Sequence, residues 1–258
     1  MSEDLRVTLL QADLAWEDKA ANLKRFDEKI AAIGTATDLI VLPEMFTTGF
    51  SMNASEMAEP MNEATLEHLR RWAAAGEAVV TGSFIAAEAG KYYNRLVWMS
   101  PDGTYRTYDK KHLFTYAEEH FTYTAGTEKL LVELKGWKVC PLICYDLRFP
   151  VWSRNVEDYD LLIYVANFPA RRATAWKSLL LARAIENQAY TIGVNRVGTD
   201  GKDIYYSGDS SLIDFEGRTL YQVAHIEDTF TATLSASEQK DFRNRYAFLK
   251  DRDRFIID

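Results

Sequence analysis

Residues 139–153, VCPLICYDLRFPVWS, constrain the fold more than any other stretch of this chain. A short, continuous apolar run reads as a strand buried in a core. The run ends abruptly in Cys144, Tyr145 and Asp146, with Arg148 and Pro150 close behind. A thiol at the end of a buried strand, followed at once by charge and proline, suggests a nucleophile at a strand-to-loop turn. The thiolate is the reactive form, so such a cysteine needs a base or a cation beside it.

Residues 38–43 and 160–166 are further apolar runs of this kind. Helical spacing recurs between the strands. Leu23, Phe26, Ile30 and Ile33 share a face in residues 17–33, which Gly34 closes. Leu66, Leu69 and Trp72 do so in 63–75, and Trp176, Leu179, Leu180 and Ala184 in 174–188. Residues 5–12, 130–134, 137–144 and 190–195 read as strands, and 78–86 as a strand broken at Gly82. Strands 93–99 and 104–108 flank the hairpin turn Pro101-Asp102-Gly103. Residues 45–60 read as a loop, and 112–126 have no clean period. Segments 204–206, 210–214, 219–223 and 230–234 read as a meander turning at Gly208 and Glu216-Gly217. A short helix follows over 235–243 with Ser235 as its cap. The charged tail 246–258 is expected to pack on a neighbouring surface. Strands apolar throughout, mixed with alternating strands and amphipathic helices, predict an α/β fold of two stacked sheets with helices outside. No linker or repeat interrupts residues 1–258, which read as one domain.

The net charge of −8 argues against nucleic acid as a partner, since that surface needs a basic stripe. The longest apolar run, residues 161–166, is far short of the roughly 18 residues of a membrane span. Early acids and no long apolar stretch near the N-terminus predict no secretory signal. A disulfide between Cys140 and Cys144 would close a tiny loop within one strand, so free thiols and a cytoplasmic, reducing setting are expected.

Three strand ends carry candidate chemistry. Cys144 is one, although a lone thiol in an apolar run is equally a core residue, as Cys140 is expected to be. Glu44 follows the run Leu39 to Pro43, where proline stops ladder pairing and sets the acid at the rim. A partly desolvated glutamate has a raised pKa and can accept a thiol proton. Lys110 and Lys111 follow a third strand and point to opposite faces, so at most one can join a site. Glu119 is a weaker candidate, because adjacent acids in a loop are usually solvated. A papain-like reading would pair Cys144 with His112 or His225. A zinc site from Cys140, Cys144, His112 and His120 fits no common structural spacing.

Taken together, these motifs resemble the nitrilase, or carbon–nitrogen hydrolase, superfamily. The resemblance rests on Leu42-Pro43-Glu44-Met45-Phe46, on Asp109-Lys110-Lys111-His112-Leu113-Phe114, and on residues 142–150 around Cys144. The stretches 182–188 and 208–214 match further family patterns. The resemblance implies a four-layer α-β-β-α sandwich, dimerisation through the helical face, and no metal or organic cofactor. It implies Glu44 as general base, Lys110 as the cation, Cys144 as nucleophile and Glu119 as an auxiliary acid. It also implies that His112 belongs to the lysine motif and is not the base.

Within the superfamily, residues 44–50, 167–172, 193–198 and Trp176 look like the omega-amidase branch. That branch hydrolyses the terminal amide of short 2-oxo dicarboxylic monoamides. The backbone N–H of Tyr145 is then expected to hold the oxyanion. Arg148 is the first choice for the substrate's far carboxylate, with Arg171 and Arg172 as alternatives. Phe50, Phe168 and Trp176 are expected to wall the pocket. The alternatives are a carbon–nitrogen hydrolase of other specificity (aliphatic amidase, N-carbamoyl amino acid amidohydrolase or nitrilase) and a non-catalytic binding member.

Overall fold

Strands without a polar face must be covered on both sides, and here they form the centres of two stacked sheets. The computed structural model describes residues 3–256. The first sheet takes β1 (Leu5–Gln11), β2 (Leu39–Val41), β3 (Val79–Glu88), β4 (Lys91–Met99) and β5 (Tyr105–Asp109), adjacent in that order. The second takes β6 (Val132–Leu134), β7 (Trp137–Ile143), β8 (Leu161–Ala166), β9 (Tyr190–Asn195), β10 (Val197–Thr199), β11 (Tyr205–Ile213) and β12 (Thr219–Ala224). Its spatial order is β10, β11, β9, β8, β7, β6, with β12 also paired to β11. The chain then returns to the first sheet as β13 (Asp228–Leu234), antiparallel to β1.

Strands β1 to β3 are mutually parallel, as are β7 to β9. Because β3–β4 and β4–β5 are both antiparallel, β5 runs the same way as β2. Successive strand residues face opposite ways. Leu9, Leu39 and Val41 share a core cluster between the sheets with Ile163 and Ile192, while Leu142, level with Tyr164 and Gly193, faces the helix on the other side. Leu10 and Ile40 instead face Phe26, Leu66 and Trp72 of helices Lys19–Ala31 and Ala64–Gly76. On the far side, Trp176, Leu180 and Ala184 of helix Ala173–Asn187 cover the second sheet. The architecture is the α-β-β-α sandwich. Asp18 caps the first helix through Ala21 N at 3.0 Å, and Ser235 caps Ala236–Arg245 through Glu238 N at 3.3 Å. Among the described residues, no helix is long and apolar enough to cross a membrane.

Several local expectations fail for physical reasons. Gly82 does not break its strand; it pairs with Val97 in the middle of β3. A Cβ there would lie 2.8 Å from Leu42 Cβ and 3.1 Å from Phe46 Cδ1. The glycine serves close packing against the Glu44 segment. Gly82→Ala is therefore expected to destabilise the fold by about 1–3 kcal/mol, as overpacking does. Urea denaturation checks this, and an unchanged midpoint would refute the packing role.

Gly208 is no turn either. With Asp209 it adopts left-handed φ values of 78° and 58°, and the pair forms a bulge inside β11. The Gln11 side chain occupies the space a Cβ would need. The expected meander ends at β12, because β13 covers the otherwise open edge of β1. The expected loop 45–60 contains one helical turn, Ala54–Met57. β10 was not anticipated, since three residues, Val-Gly-Thr, carry no strand pattern. The tail is held by Arg252 on Asp158 at 2.6 Å and by Tyr246 O on Gln188 Nε2 at 2.7 Å. The part of the tail expectation that falls on residues 257–258 lies outside the described residues.

Candidate active site

The shared direction of β2, β5, β7 and β8 brings their carboxyl ends to one rim, where ligands bind in open α/β sheets. Lys110 directly follows β5, Cys144 follows β7 and Asn167 follows β8, while Glu44 lies three residues beyond β2. The chain turns sharply at these points. Cys144 has φ 44°, Met45 beside Glu44 has φ 43°, and Glu118 beside Glu119 has φ 59°. Non-glycine residues in this region are strained and recur at functional sites.

Glu44 is fully buried. Its Oε1 accepts from Lys110 Nζ at 2.9 Å and from Asn94 Nδ2 at 2.8 Å. Its Oε2 accepts from the Asn167 backbone N–H at 2.8 Å, and its carbonyl accepts from Asn167 Nδ2 at 2.6 Å. Asn167 thus stitches the glutamate of one sheet to the other sheet. Lys110 is also fully buried, and its Nζ donates to both Glu119 oxygens, at 3.1 and 3.0 Å. Burial alone would lower the lysine's pKa, but Glu119 and Glu44 raise it above its ordinary value. Burial pushes Glu119 up in turn, opposed by Lys110 and assisted by Glu44. Glu119 is not the solvated loop acid its neighbours suggested; it also accepts from the Phe114 backbone N–H.

Cys144 is buried, its Sγ 3.9 Å from the Asn167 carbonyl. Burial first, then the Glu44 charge, pushes its thiol well above the ordinary range, while Lys110 opposes them. Both effects favour the thiol over the thiolate at Cys144, so the sulfur needs a proton acceptor in order to react. Cys140 is a free, fully buried core thiol, pushed up to about 12 by burial. Lys111 leaves the site, its ammonium 5.4 Å over the Trp152 ring. His112 turns to Asp146 at 2.8 Å and stacks on Phe149 at 3.6 Å.

Cys144 and Lys110 open onto a cavity of about 120 Å³, also lined by Phe50, Tyr145, Asn167 and Phe168. Drug-sized sites hold roughly 300–1,000 Å³, so this one suits a small substrate. Tyr145 is the second residue of the turn Cys144–Arg148, where helical N–H groups lack an internal partner. Arg148, Arg171 and Arg172 stand around the cavity. Among the described residues, none of these guanidinium groups makes an ion pair or hydrogen bond. Arg148 does not pair with Asp146, and its guanidinium lies 5.5 Å over Phe168. Arg172 packs over Phe114 at 5.0 Å, and burial together with Arg171 and Arg148 lowers its pKa.

Trp176 does not wall the cavity. It is fully buried behind Phe168, ring centroids 5.2 Å apart, and donates to the Asp209 carbonyl at 2.8 Å. Helical periodicity placed it in the core stripe, and that reading prevails. The contacts of Asn94 and Asn167 with Glu44, and the wall positions of Phe114 and Tyr206, were not foreseen. Asn167 carries the same signal as Cys144, a polar group ending an apolar strand. Asn94 sits inside an alternating strand and carries none.

Comparisons with known proteins identify the chain's relatives. The family model described as carbon–nitrogen hydrolase matches residues 6–244. The chain is 47% identical over 254 residues to the omega-amidase YafV of Yersinia enterocolitica, covering 98% of each. It is 32% identical to the 2-oxoglutaramate amidase of Bacillus subtilis, covering 95% of this chain and 96% of that one. The crystal structure of XC1258 from Xanthomonas campestris, a carbon–nitrogen hydrolase superfamily protein with an arsenic adduct in its active site, superposes with a TM-score of 0.97. The two are 43% identical, over 99% of this chain and 100% of that one.

Proposed function

The chain belongs to the carbon–nitrogen hydrolase family, and from that premise we propose that it is an omega-amidase. It hydrolyses the terminal amide of short 2-oxo dicarboxylic monoamides, such as 2-oxoglutaramate and 2-oxosuccinamate, to acid and ammonia. One observation carries the substrate class: three arginines without ionic partners surround a small cavity in a protein of net charge −8. A cation left unpaired at a cavity is best matched by an anionic ligand, and guanidinium suits carboxylate.

In the proposed reaction Glu44 takes the Cys144 proton and the sulfur attacks the amide carbon. Lys110 and the Tyr145 N–H hold the oxyanion. The proton on Glu44 passes to the leaving nitrogen, the C–N bond breaks, and ammonia departs from a thioester. Glu44 then takes a proton from water. The resulting hydroxide attacks the thioester, the C–S bond breaks, and the acid is released with the thiol restored. Glu119 fixes Lys110 in place. Arg148, Arg171 and Arg172 receive the far carboxylate, and Phe50 and Phe168 flank the chain between. Residues 1–258 act as one domain. The protein is a homodimer joined through the helical face where Leu181 and Ile185 are exposed, which sedimentation tests.

Ammonia release tests the substrate class. 2-Oxoglutaramate is expected to exceed pentanamide, its uncharged analogue of equal length, by on the order of 100-fold in kcat/KM. Arg172→Ala is expected to remove most of that preference by raising KM. Turnover of simple nitriles or N-carbamoyl amino acids above that of 2-oxoglutaramate would overturn the assignment.

A further inference from the structure

Asp146 is a fully buried carboxylate that the proposed reaction does not use. Neither of its oxygens reaches Arg148, two residues on. Oδ1 accepts from the His112 backbone N–H at 3.0 Å and from His112 Nδ1 at 2.8 Å. Oδ2 accepts from the Ile143 backbone N–H at 3.0 Å and from Tyr108 OH at 2.7 Å. Tyr108 also accepts from Trp152 Nε1 at 3.1 Å and from the Lys111 backbone N–H at 3.3 Å. Burial and the nearby Asp146 charge hold its phenol well above the ordinary range, so it remains a donor.

One side chain therefore joins two segments of different sheets. Ile143 immediately precedes Cys144. Tyr108 and His112 bracket Lys110 by two residues on either side. We propose that Asp146 is a positioning residue, tying the Cys144 turn to the Tyr108-to-His112 segment so that the sulfur and the Lys110 ammonium keep their spacing. The proposal rests on the reading of Cys144 as the nucleophile. Two facts make a clamp necessary here. Cys144 holds a left-handed φ of 44°, which a cysteine does not adopt unaided. Lys110 is fixed on the other side by Glu44 and Glu119, so any drift of the turn changes the geometry between them.

Asp146→Asn is the informative substitution. Each oxygen receives two donors, one of them a backbone N–H that cannot rotate away. Whichever way the asparagine amide turns, its NH₂ group faces a donor. In the folded variant, kcat on 2-oxoglutaramate is expected to fall about 100-fold with KM little changed, the signature of misplaced reacting groups. Alkylation of Cys144 by iodoacetamide, located by peptide mass, is expected to move the opposite way. Its pH midpoint falls toward that of an ordinary cysteine as the sulfur leaves Glu44 and gains solvent. General loosening of the fold would change stability without this opposed pair of shifts. Tyr108→Phe removes one donor and is expected to cost about tenfold or less in kcat.

A folded Asp146→Asn protein with parental kcat and alkylation profile overturns the proposal. Should that variant not fold, Tyr108→Phe combined with His112→Ala carries the test, and parental turnover there overturns it equally. The underlying reading fails separately: activity retained in Cys144→Ala removes the nucleophile, whereas an inactive Cys144→Ala beside a fully active Asp146→Asn removes only the clamp.

Discussion

Cys144→Ala is expected to lower kcat on 2-oxoglutaramate by about 10⁴-fold or more while the protein remains folded. A covalent route divides amide hydrolysis into two easier steps, and alanine leaves no atom to form the thioester. Neither neighbour replaces it. Glu44 already accepts hydrogen bonds on both oxygens, and Lys110 lies between two carboxylates. The arginines remain, so substrate binding is expected to survive, which separates this variant from Arg172→Ala. Stopped turnover with retained binding of 2-oxoglutaramate, measured by calorimetry, supports the assignment. Steady ammonia release from Cys144→Ala would end it.

Lys110→Met is expected to affect both activity and stability. The ammonium is fully buried and holds Glu44 on one side and Glu119 on the other. Its removal leaves two buried carboxylates without their counter-charge, and breaking a buried pair this way costs about 3–5 kcal/mol. Activity is expected to fall below detection, because the oxyanion loses a donor and the proposed base loses its orientation.

The pH dependence has a definite sign. Glu119 is already pushed up by burial and by Glu44, and Lys110 is what restrains it. Without Lys110 its folded pKa rises further above the unfolded value. A carboxyl with a raised folded pKa contributes stability below its unfolded pKa and loses it as pH rises through the folded one. The deficit of Lys110→Met relative to the parent is therefore expected to shrink as pH falls below neutral. Urea unfolding at several pH values checks this, and a deficit that grows toward acid would refute it.

Much of the site was legible because its groups sit where strands end. A short apolar run bounded by proline or charge reads as a buried strand, and the first polar residue after it lands at the rim. That logic located Glu44 and Cys144 and extends to Asn167; it left Lys110 and Lys111 undistinguished, and only the family pattern chose between them. It fails where a side chain's environment is set by distant chain. Glu119 stands in an aperiodic segment beside another acid, and only Lys110, arriving from β5, takes it out of solvent. Trp176 erred the other way: its helical stripe correctly indicated core, and only the family pattern drew it toward the substrate. The two glycines misread as breaks show the same limit. Gly82 and Gly208 make room for Leu42 and for Gln11, residues far from them in sequence. A local pattern does not distinguish a glycine that bends the chain from one that admits a neighbour.

The return of β13 to pair with β1 has a consequence for biosynthesis. Leu5 lies opposite Leu234, so β1 waits for a partner translated more than two hundred residues later. Until then β1, with its row of open N–H and C=O groups, is an unprotected template for pairing with other chains. The second sheet has no such dependence, since all its strands come from residues 132–224. During synthesis β2 to β5, which position Glu44 and Lys110, emerge before β7 and Cys144, while the outer edge of β1 stays open until β13 follows. Pairings of such long sequence separation are slow to form, so closure of this edge is expected to be among the last steps of folding.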